Sequence, residues 1–141
     1  MKLVDANVLL YAVNASDPRH QLSRRWLDRV LNGADTLAFS WPVLLAFVRL
    51  STKHGVFPAP LSVEQALARV RAWLGEPASI LVEPTPRHLD ILAGLLTAVG
   101  AGGNLVSDAH LAALAVEHAA TVVTFDSDFG RFGGVRWAAP S

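Results

Sequence analysis

Three aspartates stand far apart in the chain, each at a similar kind of place. Asp5 closes the short apolar run Lys2-Leu3-Val4, and Asp126 closes Thr121-Val122-Val123-Thr124-Phe125. Asp108 stands where the stretch Gly103-Asn104-Leu105-Val106-Ser107 runs into an Ala/Leu-rich helical segment, apolar on every face from Leu111 to Val116. Such a helix is expected to be largely buried, and a carboxylate at its mouth must be paired, hydrogen-bonded or bound to a metal. Singly, each acid has a plainer reading: Asp108 complements a helix dipole, and an Asp after a strand is an ordinary turn or cap residue. Together they point to chemistry. Clustered carboxylates repel one another, and their pKa values rise unless a cation neutralises them. Hard oxygen ligands with water completing the shell suit Mg²⁺ or Mn²⁺. Such a centre supports metal-assisted hydrolysis of a phosphodiester.

The elements that must position these acids alternate along the chain. Short strands are expected at residues 2–4, 36–40, 79–83 and 121–125, with a last edge strand at 135–137. Between them lie helical stretches. One starts near Val8. The next runs to about residue 31, capped by Ser16 or Asp17 with Pro18 in its first turn, and places Leu22, Trp26, Leu27 and Val30 or Leu31 on one face. Pro42 opens a nearly all-apolar helix from Val43 to about Lys53, interrupted by Arg49. An amphipathic helix at 63–74, one from Pro86 to about Val99, and the Asp108 helix ending near His118 complete the set; Asn104 or Ser107 caps the last. Strands alternating with helices argue for an α/β domain with a mainly parallel sheet of about four to five strands. In open sheets of this kind the ligand crevice lies outside the carboxyl ends of the strands. Asp5, Asp126 and the Asp108 helix start are expected at that rim.

Other chemistries fail on the residues present. There is no cysteine, so disulfides, thiolate nucleophiles and cysteine-based zinc sites are excluded. Gly100 to Gly103 lacks the Lys-Ser/Thr of a phosphate loop, the five histidines have no zinc spacing, and no Gly-x-Ser-x-Gly elbow exists. Arg24, Arg25 and Arg29 read as a solvated helix face or as phosphate contacts. At 141 residues the chain suits one domain spanning residues 1–141. Its 52% hydrophobic and 17% charged residues hint that some apolar surface is covered by a partner or a second copy. Net charge is zero, so any nucleic-acid binding must rest on a local patch. No apolar run approaches the roughly 18 residues of a membrane helix. Asp5 and Asn7 inside the first apolar run do not fit a signal peptide, so a cytoplasmic protein is expected.

Three segments, Asp5-Ala6-Asn7-Val8-Leu9, Ser107-Asp108-Ala109-His110-Leu111-Ala112-Ala113-Leu114-Ala115 and Val123-Thr124-Phe125-Asp126-Ser127-Asp128-Phe129, come in an order and spacing that resemble the PIN-domain ribonucleases. The resemblance is to the VapC-type toxins of type II toxin–antitoxin pairs and covers nearly the whole chain. It implies a PIN-like α/β/α sandwich and an Mg²⁺- or Mn²⁺-dependent endoribonuclease. Asp5, Asp108 and Asp126 would be the catalytic, metal-holding acids, with Asn7 and Thr124 orienting them and Asp128 as an extra ligand or a structural cap. It also implies an RNA substrate such as tRNA or ribosomal RNA, a homodimer, and a small antitoxin covering the cleft and adjacent apolar helices. The family's helix-borne Glu falls at Ala46, and that helix holds no acid. Glu117, nine residues past Asp108, lies about 180° round the helix and faces away; Glu83 is the remaining conceivable substitute. Three carboxylates suit one ion rather than two. The departure at Ala46 keeps open an alternative reading, a weakened or inactive RNA- or partner-binding module. A metal-dependent phosphatase or flap nuclease sharing the fold is a more distant one.

Overall fold

The computed structural model describes residues 1–141. In chain order the elements are β1 (Lys2–Val4), α1 (Ala6–Val13), α2 (His20–Leu31), β2 (Leu37–Phe39), α3 (Trp41–Ser51), α4 (Val63–Leu74), β3 (Ser79–Leu81), α5 (His88–Val99), α6 (Leu105–Glu117), β4 (Thr121–Val123), a 3₁₀ turn (Ser127–Arg131) and β5 (Trp137–Ala138). The five strands form one sheet in the order β3-β2-β1-β4-β5. Every pairing is parallel, with Leu3 opposite both Ala38 and Val122. The central strands β1 and β2 are short and almost wholly apolar because helices cover both faces of a parallel sheet. Leu3, Val4, Leu37, Ala38, Phe39 and Val122 are completely buried and seed a single core.

The chain builds outward from β1 through β2 to β3, then returns to lay β4 on the other side of β1. With right-handed crossovers, α1 to α4 lie on one face of the sheet and α5 with α6 on the other. The order therefore reverses between β1 and β4. Their carboxyl ends flank the crevice where α/β sheets bind ligands. Asp5 and Thr124 are the residues that follow those two strands.

Several boundaries differ from the sequence expectation, each for a local reason. The second helix begins at His20 rather than near Pro18, because the Asp17 carboxylate accepts from the Arg19 backbone N–H at 2.8 Å and from its guanidinium at 2.9 Å. That turn holds the chain out of the helix. Leu22 is 42% exposed, and Ser23 takes the buried place expected of it. The third helix starts at Trp41, two residues early, with Pro42 in its first turn where a missing N–H costs nothing. Strands β2, β3 and β4 are each three residues long, shorter than expected. Asn104 occupies the cap position of α6 without a side-chain hydrogen bond, Ser107 lies inside the helix, and Val116 is exposed.

Candidate metal centre

Asp5 is fixed by the junction it occupies. Its backbone N–H continues the sheet ladder, donating to the Val123 carbonyl at 3.0 Å. Its side chain caps α1, accepting from the Ala6 N–H at 2.7 Å. The other carboxylate oxygen accepts from the Thr124 hydroxyl at 2.8 Å and from the Asn7 amide at 3.3 Å. Thr124 is the hub. Completely buried, it also accepts from the Asn7 amide at 3.1 Å and from the Asp126 N–H at 3.0 Å. The Asn7 carbonyl oxygen in turn accepts from the Phe125 N–H at 3.2 Å. One hydroxyl and one amide thus tie two strand ends together, orient the Asp5 carboxylate and anchor the backbone of Asp126.

Asp126 caps the 3₁₀ turn, accepting from the Asp128 N–H at 2.9 Å. Asp128 itself is exposed and serves that turn. Asp108 lies in the first turn of α6. The three acids therefore sit at three helical N-termini, whose dipoles partly offset the concentrated negative charge.

The offset is incomplete. Burial, then the charges of Asp126, Asp5 and Asp128, push the Asp108 carboxyl up to about 6. Burial also raises Asp5, against hydrogen bonds from Thr124 and Ala6 that lower it, and Asp126 adds to the rise. The acids are near enough to repel but not to close on one point: no three His, Asp or Glu side chains form a ready metal-binding group. Facing carboxylates that feel one another in this way are the donor chemistry of a hydrated Mg²⁺ or Mn²⁺, an ion that retains several waters.

Asp5 and Asp108 line a cleft of about 410 Å³ between the start of α3 and the start of α6. Ala46 lines it too, so the place that holds a Glu in the resembled family carries a methyl group here. Glu83, Glu117 and Asp126 do not line it; Asp126 is still near enough to raise Asp108 and Asp5 by its charge, whereas neither glutamate contributes to that rise. Glu117 is spent elsewhere, accepting from the Thr85 N–H and hydroxyl and pairing with His88. Three cleft residues escaped the sequence reading. Ser40 is 1% exposed, and its hydroxyl has no partner. It follows β2 as Asp5 follows β1, and that strand-end position was its only signal. Arg49 is the one Lys or Arg in the lining and makes no ion pair or side-chain hydrogen bond. His110 also faces the cleft. Arg24, Arg25 and Arg29 lie on the exposed face of α2, outside it.

Comparison with known proteins agrees with this architecture. The PIN domain family model matches residues 2–135. The chain is 63% identical over 140 residues to Ribonuclease VapC37 of Mycobacterium tuberculosis, covering 99% of this chain and 97% of that one. It is 39% identical over 140 residues to Ribonuclease VapC33 of the same species, covering 99% and 98%. Among solved structures, VapBC2 from Rickettsia felis, bound to a DNA fragment from its promoter, superposes with a TM-score of 0.73 at 19% identity, covering 99% of this chain and 98% of that one. The sarcin-ricin loop cleaving toxin VapC20 of Mycobacterium tuberculosis superposes at 0.69 with 19% identity, covering 96% and 99%. A strand-order reversal carrying Asp5 and Thr124, a facing helix carrying Asp108, and these full-length matches agree: the chain belongs to the PIN-domain family, among the VapC-type ribonuclease toxins of toxin–antitoxin systems.

Proposed function

We propose that the chain acts as one domain, residues 1–141, that cuts RNA internally with a single Mg²⁺ or Mn²⁺ held by Asp5, Asp108 and Asp126. The observation that carries this reading is the convergence of Asp5 and Asp108 on one cleft, where burial and the charges of Asp126, Asp5 and Asp128 raise the Asp108 carboxyl. Carboxylates so placed favour a cation among them. A divalent ion there supplies an acidified water and offsets charge on the phosphoryl oxygens. The chain's own residues do the rest. Thr124 and Asn7 hold the Asp5 carboxylate at a fixed orientation, as outer groups do for metal-holding carboxylates, and Thr124 also anchors the Asp126 backbone N–H. Arg49, unpaired and in the cleft, offers its guanidinium to a backbone phosphate. Ser40, which lines the same cleft, carries a buried hydroxyl without a partner. Asp128, exposed on the turn that Asp126 caps, adds negative charge near Asp108.

In this reading the substrate is a structured cytoplasmic RNA such as tRNA or ribosomal RNA, and the protein works as a homodimer. A small antitoxin silences it by covering the cleft and the apolar residues beside it; Trp41 and Leu45, 45% and 59% exposed, supply that surface. No helix is long and apolar enough to cross a membrane.

One observation favours a second reading. Ala46 leaves the cleft without the fourth acid, and a PIN-like module that binds RNA without cutting it would look the same. Metal binding is tested by melting: Mg²⁺ or Mn²⁺ should raise the Tm by mass action, and Asp108→Asn should abolish the rise. A rise that survives the substitution rules out the assigned centre.

A further inference from the structure

Four side chains joined by hydrogen bonds end at a residue of the cleft lining, His110. Glu117, whose side chain is 0% exposed, accepts from the Thr85 N–H at 2.8 Å and from the Thr85 hydroxyl at 2.6 Å. Its other oxygen meets His88 Nδ1 at 2.5 Å, and His88 Nε2 meets His110 Nδ1 at 2.9 Å. The two imidazoles cross edge to face, 4.7 Å between centroids. A carboxylate only accepts, so His88 Nδ1 carries a hydrogen. His110 Nδ1 is committed to His88, which leaves Nε2 as the ring nitrogen available to the cleft that His110 lines.

We propose that His110 Nε2 pairs with a ribose 2′-hydroxyl of the bound RNA, and that His88, Glu117 and Thr85 are positioning residues that hold its ring for this contact. The proposal rests on the reading of the cleft as an RNA site and names the group by which RNA is told from DNA there. His110 lies two residues, about 200°, round α6 from Asp108. The two residues therefore reach the cleft from different sides of the helix, and His110 does not share the place of the acid. Whichever ring of the pair holds the shared hydrogen, Nε2 meets a hydroxyl that both donates and accepts. A phosphate oxygen only accepts, and in the proposed function it is the guanidinium of Arg49, in the same lining, that would meet it. A buried carboxylate–imidazole pair is a weak source of stability compared with apolar packing, so its use here is orientation.

The test measures anisotropy of a fluorescein-labelled random-sequence 20-nucleotide RNA pool and of its all-deoxy counterpart, on the full chain carrying Asp108→Asn to suppress cutting. RNA should bind several-fold tighter than DNA. Adding His110→Ala should weaken RNA binding about tenfold, the loss of roughly one hydrogen bond, and leave DNA binding unchanged. His88→Ala should shift the same ratio in the same direction. His110→Gln, which keeps a donor and an acceptor, should retain most of the preference and covers the case in which the alanine variant fails to fold. Equal binding of the two pools by the parent, or equal losses for both with His110→Ala or His110→Gln, would overturn the proposal. Failure of the underlying nuclease reading would show separately, as the absence of metal-dependent RNA cleavage by the unsubstituted chain.

Discussion

At the scale of single residues the site is a balance between repulsion and orientation, and both sides are testable. The folded-state pKa of Asp108, about 6, lies above its ordinary value of 3.8. Between those values the folded protein holds a proton that the unfolded chain has released, so this group lowers stability as pH rises through the window. In EDTA at pH 7, Asp108→Asn should raise stability by on the order of 1 kcal/mol, the linkage being discounted for a half-buried group. The gain should vanish near pH 4, as read by denaturant melts at the two pH values. Thr124→Val keeps the shape but removes the hydroxyl that orients Asp5 and anchors the Asp126 backbone, and should cost about 10- to 100-fold in metal affinity or activity, measured by metal titration. The acids were legible because each stands at the end of a strand or the start of a helix, places that converge in any parallel sheet. Ser40 shares that position but is a common cap residue, and nothing local marked it. The His110 relay joins residues 85 to 117 across two helices, a tertiary pairing that no spacing along the chain encodes.

At the scale of elements, most of the sequence pattern survived folding because helix and strand periods differed clearly. Helix α4 matched its expected span in full, since Ser62 and Gln65 form a reciprocal capping box there. Ser62→Ala should cost about 1 kcal/mol in chemical denaturation. Helix α2 departed because the Asp17–Arg19 turn competed for its first residues. Helix α6 ends without a glycine: Ala119 holds the left-handed conformation at φ 53°, and the next N–H, Ala120, returns to the Ala115 carbonyl at 2.8 Å. Ala119→Gly should therefore stabilise by about 0.5 to 1 kcal/mol, read as a higher Tm at unchanged activity. Beneath the cleft, completely buried Phe47 of α3 meets Trp73 edge to face at 4.8 Å. Phe47→Ala should cost about 3–5 kcal/mol and loosen the wall that carries Ala46 and Arg49.

At the scale of the whole molecule, the strand order β3-β2-β1-β4-β5 brings Asp5 and Asp126 together although 121 positions separate them in numbering. Fold class was readable because alternating short apolar runs and helical stretches admit few other arrangements. Partners were not readable in the same way. A 52% hydrophobic composition says that something is covered, and the exposed Trp41, Leu45 and Leu89 say where cover is needed, but neither names it. The absent fourth acid at Ala46 bears on the molecule's whole output. Ala46→Glu places a carboxylate in the cleft lining and should raise metal affinity and the cleavage rate together, a joint change that an inert binding module would not show.

In the proposed function Asp5, Asp108 and Asp126 hold a metal ion with which the protein cuts RNA without the missing Glu. This is tested most directly by incubating total tRNA and ribosomal RNA with the purified chain in Mg²⁺ or Mn²⁺, then in EDTA, beside Asp5→Asn and Asp108→Asn. Discrete RNA fragments are expected with metal, none with EDTA, and none from either variant. Fragments that persist in EDTA or from both variants would contradict that function.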